Sequence, residues 1–226
     1  MTENREDLIR DLVADLRPVR RAGRIGTALL VWLALAVGYS VFVVLATGPL
    51  REGALGNLVR EPAFGVETLL ALLAIVALAY AALRTAVPDA ARRARQLALP
   101  VAITALWIAV YVIGLWYPAH PVSTLGARPH CIWQAVLFSI PSLALMLWLA
   151  RRLLPLRPRL TGLFAGAAAA AIPGALMQFG CMYEPAHILA YHIGPVVIVA
   201  AIGFALGPIA LLARRTVPRS RGIPMH

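Results

Sequence analysis

Six apolar runs govern what this chain can fold into: Ile25–Thr47, Phe64–Leu83, Leu97–Tyr117, Cys131–Ala150, Leu160–Phe179 and Ile193–Ala213. Each is long enough to cross a hydrocarbon core of about 30 Å as an α-helix, which satisfies its backbone polar groups without help from water. Pro, Gly, Arg or a polar cluster bounds every run. Of the 226 residues 61% are hydrophobic and only 14% charged, outside the range of ordinary soluble domains. The expected fold is all-α, an integral membrane bundle of six transmembrane helices. Its first run is read as a retained helix, because a charged tail precedes an apolar core too long for a cleaved signal peptide.

The formal net charge of +11 comes entirely from Arg, with no Lys in the chain. All the Arg except Arg51, Arg60 and Arg128 fall in the tail 1–24, between runs two and three, between runs four and five, or after run six. Alternating helices put those four segments on one side, which the positive-inside rule makes cytoplasmic for both termini. The chain then divides into a cytoplasmic tail 1–24, a transmembrane domain 25–213 and a basic cytoplasmic tail 214–226, in a bacterial inner membrane. Arg that hug membrane ends serve topology and contact lipid, and do not form the soluble basic face that direct nucleic-acid binding needs.

Transporters and channels commonly hold ionisable groups in mid-span. None is expected here: Glu67 and Arg84 lie near the ends of run two and read as interfacial anchors. Run five carries Gly162, Gly166, Ala170 and Gly174 at intervals of four, and run six repeats the device with Gly203 and Gly207. Such a stripe lets helices approach closely, either within the bundle or across a homodimer seam.

Chemistry concentrates on the outer side. "MQFGCMYEPAHILAYHIGP" (177–195) forms the expected loop between runs five and six and holds Cys181, Glu184, His187 and His192. Cys131 opens run four, close to His120, Arg128 and His130. The chain has two Cys and five His, and only His226 lies elsewhere. The short segment Arg151–Arg159 makes runs four and five neighbours, so Cys131 and Cys181 can meet. In an oxidising exterior they can form a structural disulfide, with the His as interfacial residues. Equally, a thiol at a helix N-terminus beside Arg128 and His130 suits a sensor, and thiolate with imidazole suits soft or borderline metals, bound transiently at Cys131 and Cys181. Glu184 reads as an exposed loop acid with a secondary claim as ligand or base. His187 and His192 lie about 140° apart on an ideal α-helix, so continuous α-helix would not put them on one face. His120, His130, Glu184, His187 and His192 are thus metal or proton-linked candidates, with no resident cofactor required.

The tail "MTENREDLIRDLVADLRPVRRAGR" places Leu8, Ile9, Leu12, Val13 and Leu16 at helical spacing beside an acidic row that includes Asp7, Asp11 and Asp15, until Pro18 ends the helix. A membrane-surface helix would carry a basic polar face. An acidic one fits a groove on a basic protein partner, such as a DNA-binding protein. The bland alternatives are a solvated stub or a helix folded onto the bundle.

"LIRDLVADLRPVRR", "RPHCIWQ" and "CMYEPAHILAYHIGPVV", in this order and with this topology, resemble the six-span anti-sigma factors of the NrsF type, negative regulators of sigma F. The likeness covers essentially the whole chain. It implies a non-enzymatic regulator whose tail holds an extracytoplasmic-function sigma factor inactive, while Cys131 and Cys181 respond to oxidants or thiol-reactive metals outside. A rival reading is a small membrane redox enzyme or metal/haem protein built on the outer Cys and His. No phosphate-binding loop, Ser nucleophile motif or paired-carboxylate constellation adds to that rival.

Overall fold

The computed structural model describes residues 6, 7, 10, 13, 14, 24–87, 95–118, 121–128, 130–153 and 155–212. It is all-helical. In chain order, α1 is Ile25–Ala46, α2 Ala54–Arg60, α3 Pro62–Thr85, α4 Arg95–Gly114, α5 Cys131–Arg151 and α6 Pro158–Gly180. Then α7 (Pro185–His187), a π-helical turn (Ile188–Ile193) and α8 (Gly194–Leu212) run on as one rod. Among the described residues six helices are long and apolar enough to cross a membrane, the last of them Pro185–Leu212. Five of the expected runs agree with these helices to within a few residues.

The sixth run begins earlier than expected. Helix resumes at Pro185, so the anticipated outer loop shrinks to residues 181–184. The short α2, in the connection between runs one and two, was not foreseen either. Its start is the positive-φ residue Gly53 (φ 76°), a backbone conformation that costs glycine little.

At the centre of the bundle stands α6, with 83% of its most apolar window buried, against 22% for α1 and for α4. It is also among the least hydropathic of the six, because its sequence is "GLFAGAAAAAIPGA" rather than Leu and Val. In a bilayer, lipid already solvates large apolar side chains, so helix association rests on close backbone packing. A Cβ added to Gly162 or Gly166 would collide with the carbonyl oxygen of Gly203 or Val199 on α8. The small-residue stripe therefore seams α6 to α8 inside one chain. Large residues such as Leu30, Phe42, Leu106, Val197 and Ile209 point outward, toward lipid. Trp116, Tyr117 and Trp133 mark one end of the bundle, and Trp148 beneath the guanidinium of Arg152 (3.7 Å from the ring centroid) marks the other, as interfacial aromatics do.

Of the tail, Glu6, Asp7, Arg10, Val13 and Ala14 are described, helical and exposed, with Arg10 and Asp7 3.6 Å apart one turn away. Leu8, Ile9, Asp11, Leu12, Asp15 and Leu16 lie outside the described residues, as does the segment 213–226.

Candidate functional site

Cys131 is the first residue of α5, and Cys181 follows directly on the last residue of α6. The two helices pack side by side, and their ends meet at the same face of the bundle. The Sγ atoms lie 3.0 Å apart, both cysteines are free thiols, and both side chains are buried. His187 Nε2 is 3.3 Å from Cys181 Sγ. His192 completes the group: one ligand atom from each of Cys131, Cys181, His187 and His192 falls within 4.8 Å of every other.

His187 and His192 share a face because the backbone between them is π-helical. In that geometry each N–H bonds the carbonyl five residues back, and Gly194 N–H donates to Leu189 O at the end of the turn. The wider turn brings positions five apart over one another, with the two rings 5.2 Å apart and nearly perpendicular. Where a loop was expected the chain is helical, and its π geometry brings together two His that a continuous α-helix would have kept apart. Pro195 supplies a local cause: lacking an N–H, it cannot bond the carbonyl of Tyr191, and the widened turn relieves the clash of its ring with the preceding turn. Gly174 supplies a tertiary one. A Cβ there would sit 2.6 Å from the carbonyl oxygen of His192, so only glycine on α6 lets the π turn come this close.

The remaining candidates stand apart. His130 caps α5 with no side-chain hydrogen bond and is exposed, while Glu184 precedes α7 and is half-buried. Neither belongs to the four-residue group. His120 lies outside the described residues.

Glu67 is not an interfacial anchor. It is buried at 2% exposure and accepts a hydrogen bond from Tyr183 Oη at 2.7 Å. A carboxyl taken out of water needs such donors, and this one fixes the residue two places after Cys181. Sequence reasoning missed the pair because Glu67 and Tyr183 are far apart in the chain. Its one visible signal was an acid inside an apolar run.

Two Arg that read as exceptions to the topology pattern also hold this loop. Arg128 Nε donates to Gly180 O at 3.0 Å and Nη2 to Pro49 O at 2.7 Å. The backbone N–H of Arg51 donates to Phe179 O at 2.7 Å. Ser123 N–H donates to Tyr183 O at 3.1 Å. An open cavity of about 620 Å³, lined by Arg51, Phe64, Ser123, Arg128, Gly180 and Tyr183, reaches the backbone beside Cys181.

The hydrogen bond from Cys131 is the chief cause holding the Cys181 thiol below its ordinary range, and His192 adds to it, while burial opposes both. A thiol held this way is nearer the thiolate, the form that acts as nucleophile and metal ligand. For Tyr183, burial and then the neighbouring Glu67 push the phenol up, so it stays a neutral donor.

Six helices of bilayer length, with two thiols and two imidazoles gathered at one end, define a membrane-type helical bundle with a Cys/His site. The chain belongs to the NrsF family, negative regulator of sigma F, which it matches over residues 12–212. Comparison with curated proteins and with solved structures gave no match.

Proposed function

We propose that this protein is a membrane anti-sigma factor of the inner membrane. It binds an extracytoplasmic-function sigma factor through the tail segment Leu8–Leu16 on the cytoplasmic side. It releases that factor when Cys131 and Cys181, on the outer side, react with an oxidant or a thiol-reactive metal. The single observation that carries the reading is the 3.0 Å approach of two free thiols in a family of sigma-factor regulators.

A hydroperoxide would oxidise the pair in two balanced steps. The Cys181 thiolate attacks the peroxide, forming a sulfenic acid and releasing hydroxide or alkoxide. The Cys131 thiol then displaces the sulfenic oxygen as water, with its proton, and the disulfide forms. The sulfurs must close to about 2.05 Å, which pulls the start of α5 toward the end of α6. Because α6 packs against α1, α3, α5 and α8, a displacement of its end would bear on four other helices. For this to switch binding, the oxidised form must favour a different helix arrangement.

The test is co-purification of the full chain with its sigma factor. Leu12→Asp with Leu16→Asp should abolish capture and derepress target genes at wild-type membrane abundance, since each change sets a charge into an apolar groove. Cys131→Ser and Cys181→Ser should each keep capture but lose its reversal by peroxide. A double Asp variant that is equally abundant and still represses would refute the docking assignment.

A further inference from the structure

We propose that Cys131, Cys181, His187 and His192 form a closed four-ligand centre for one divalent metal ion of the zinc class. The proposal rests on the sensing reading only in using the same two cysteines.

The donor set is two sulfurs and two imidazole nitrogens, the combination that tetrahedral zinc-class sites use. Oxygen donors for magnesium or calcium are missing from it. Metal–sulfur and metal–nitrogen bonds of about 2.3 and 2.0 Å around a tetrahedral ion place the ligand atoms roughly 3.3–3.8 Å apart. The four atoms already lie within 4.8 Å of one another, with Cys181 Sγ to His187 Nε2 at 3.3 Å and the two sulfurs at 3.0 Å. Opening the sulfur pair by less than about 1 Å and closing the widest separations by about as much seats the ion.

Charge selects the oxidation state. Two thiolates and two neutral imidazoles around a divalent ion sum to zero, whereas a monovalent ion would leave one negative charge in a buried site at the membrane edge, which is costly. Burial supplies an independent pointer. His192 is fully buried, and neither ring nitrogen makes a hydrogen bond of sound geometry, although the ring lies close enough to Cys181 to act on its thiol. Buried polar atoms without partners are uncommon and call for a role. A metal bond satisfies one of them. The π turn has the same explanation: its widened geometry brings the second imidazole round to the first, and such turns recur at functional sites.

Reduced full-length protein, purified in detergent micelles, would be titrated with Co²⁺. One equivalent should produce the intense visible bands of tetrahedral cobalt together with thiolate-to-metal charge transfer, and Zn²⁺ should bleach both. His187→Gln and His192→Gln should each weaken binding by more than the roughly 10–100-fold that loss of a supporting outer-sphere group costs. His187→Cys, which restores a ligand, should recover the tetrahedral bands with stronger charge transfer. A single symmetric elution peak in detergent and wild-type helical content report that each variant is folded. Folded His→Gln variants that bind Co²⁺ as tightly as the wild type would overturn the centre, as would a wild type that takes up no stoichiometric cobalt. Neither result touches the sensing reading, whose own readout is loss of peroxide-driven release in the Cys→Ser variants.

Discussion

At the scale of single residues, the site depends on side chains that are not themselves thiols or imidazoles. Tyr183→Phe removes one of the donors to buried Glu67 and frees the short segment 181–184 on one side. The net loss of one hydrogen bond is worth about 0.5–1.5 kcal/mol. We expect a lower midpoint of thermal unfolding in detergent, and faster labelling of Cys181 by a small alkylating reagent because the loop opens more often. Unchanged labelling would mean that Arg128 and Ser123 hold the loop without Tyr183. Gly174→Ala works from the opposite direction. Its new methyl would lie 2.6 Å from the His192 carbonyl oxygen, so the π turn must retreat from α6 and carry His192 away from the sulfurs. That variant should remain inserted and abundant, yet lose peroxide-driven release.

Helix pairing is decided by backbone proximity, which makes the element-scale predictions sharp. Gly162→Leu and Gly203→Leu each put a side chain where the opposing helix backbone already stands. Overpacking of this kind costs about 1–3 kcal/mol even where side chains can yield, and backbone yields less. Both variants should accumulate poorly in membranes or unfold at lower temperature. Gly38→Leu is the matched control, since a Cβ at Gly38 on α1 meets nothing within 4 Å and its side chain would enter lipid. If Gly38→Leu destabilised as much as Gly162→Leu, the seam between α6 and α8 would not be what the stripe is for.

For the whole molecule the open quantity is which way the bundle faces. Leu125 lies in the segment that packs over the thiols and is 74% exposed. In a background of Cys131→Ser and Cys181→Ser, Leu125→Cys should react with a membrane-impermeant maleimide added to intact spheroplasts. Reaction only after lysis would invert the topology and put the thiols in the cytoplasm. The native thiols are poor reporters of sidedness, because both are buried and bulky reagents would report opening of the loop as well as its location.

Much of this architecture is local and was therefore legible in the chain. Apolar runs of bilayer length fix helices one at a time, since a helix satisfies its own backbone, and the Gly and Ala spacing of α6 announces a close partner without saying which. The meeting of Cys131 with Cys181 followed from a short connection between two adjacent runs. The Arg distribution carried an expectation of topology, but it could not reveal that Arg128 also donates to the Gly180 carbonyl. What the chain alone left undecided is everything that rests on contacts between distant segments. The π turn has room because position 174 on another helix is glycine, and a segment read as a loop between Pro185 and Pro195 offered no backbone geometry that would bring His187 and His192 together. Glu67 looked like an anchor because Tyr183, which donates to it, lies three helices further along the chain. The sequence by itself determined that six helices span a bilayer with thiols and imidazoles at one end. Only the tertiary packing decided that two of those thiols and two of those imidazoles share one buried pocket, because side-chain convergence is set by how closely the backbones of α5, α6 and the last rod can approach.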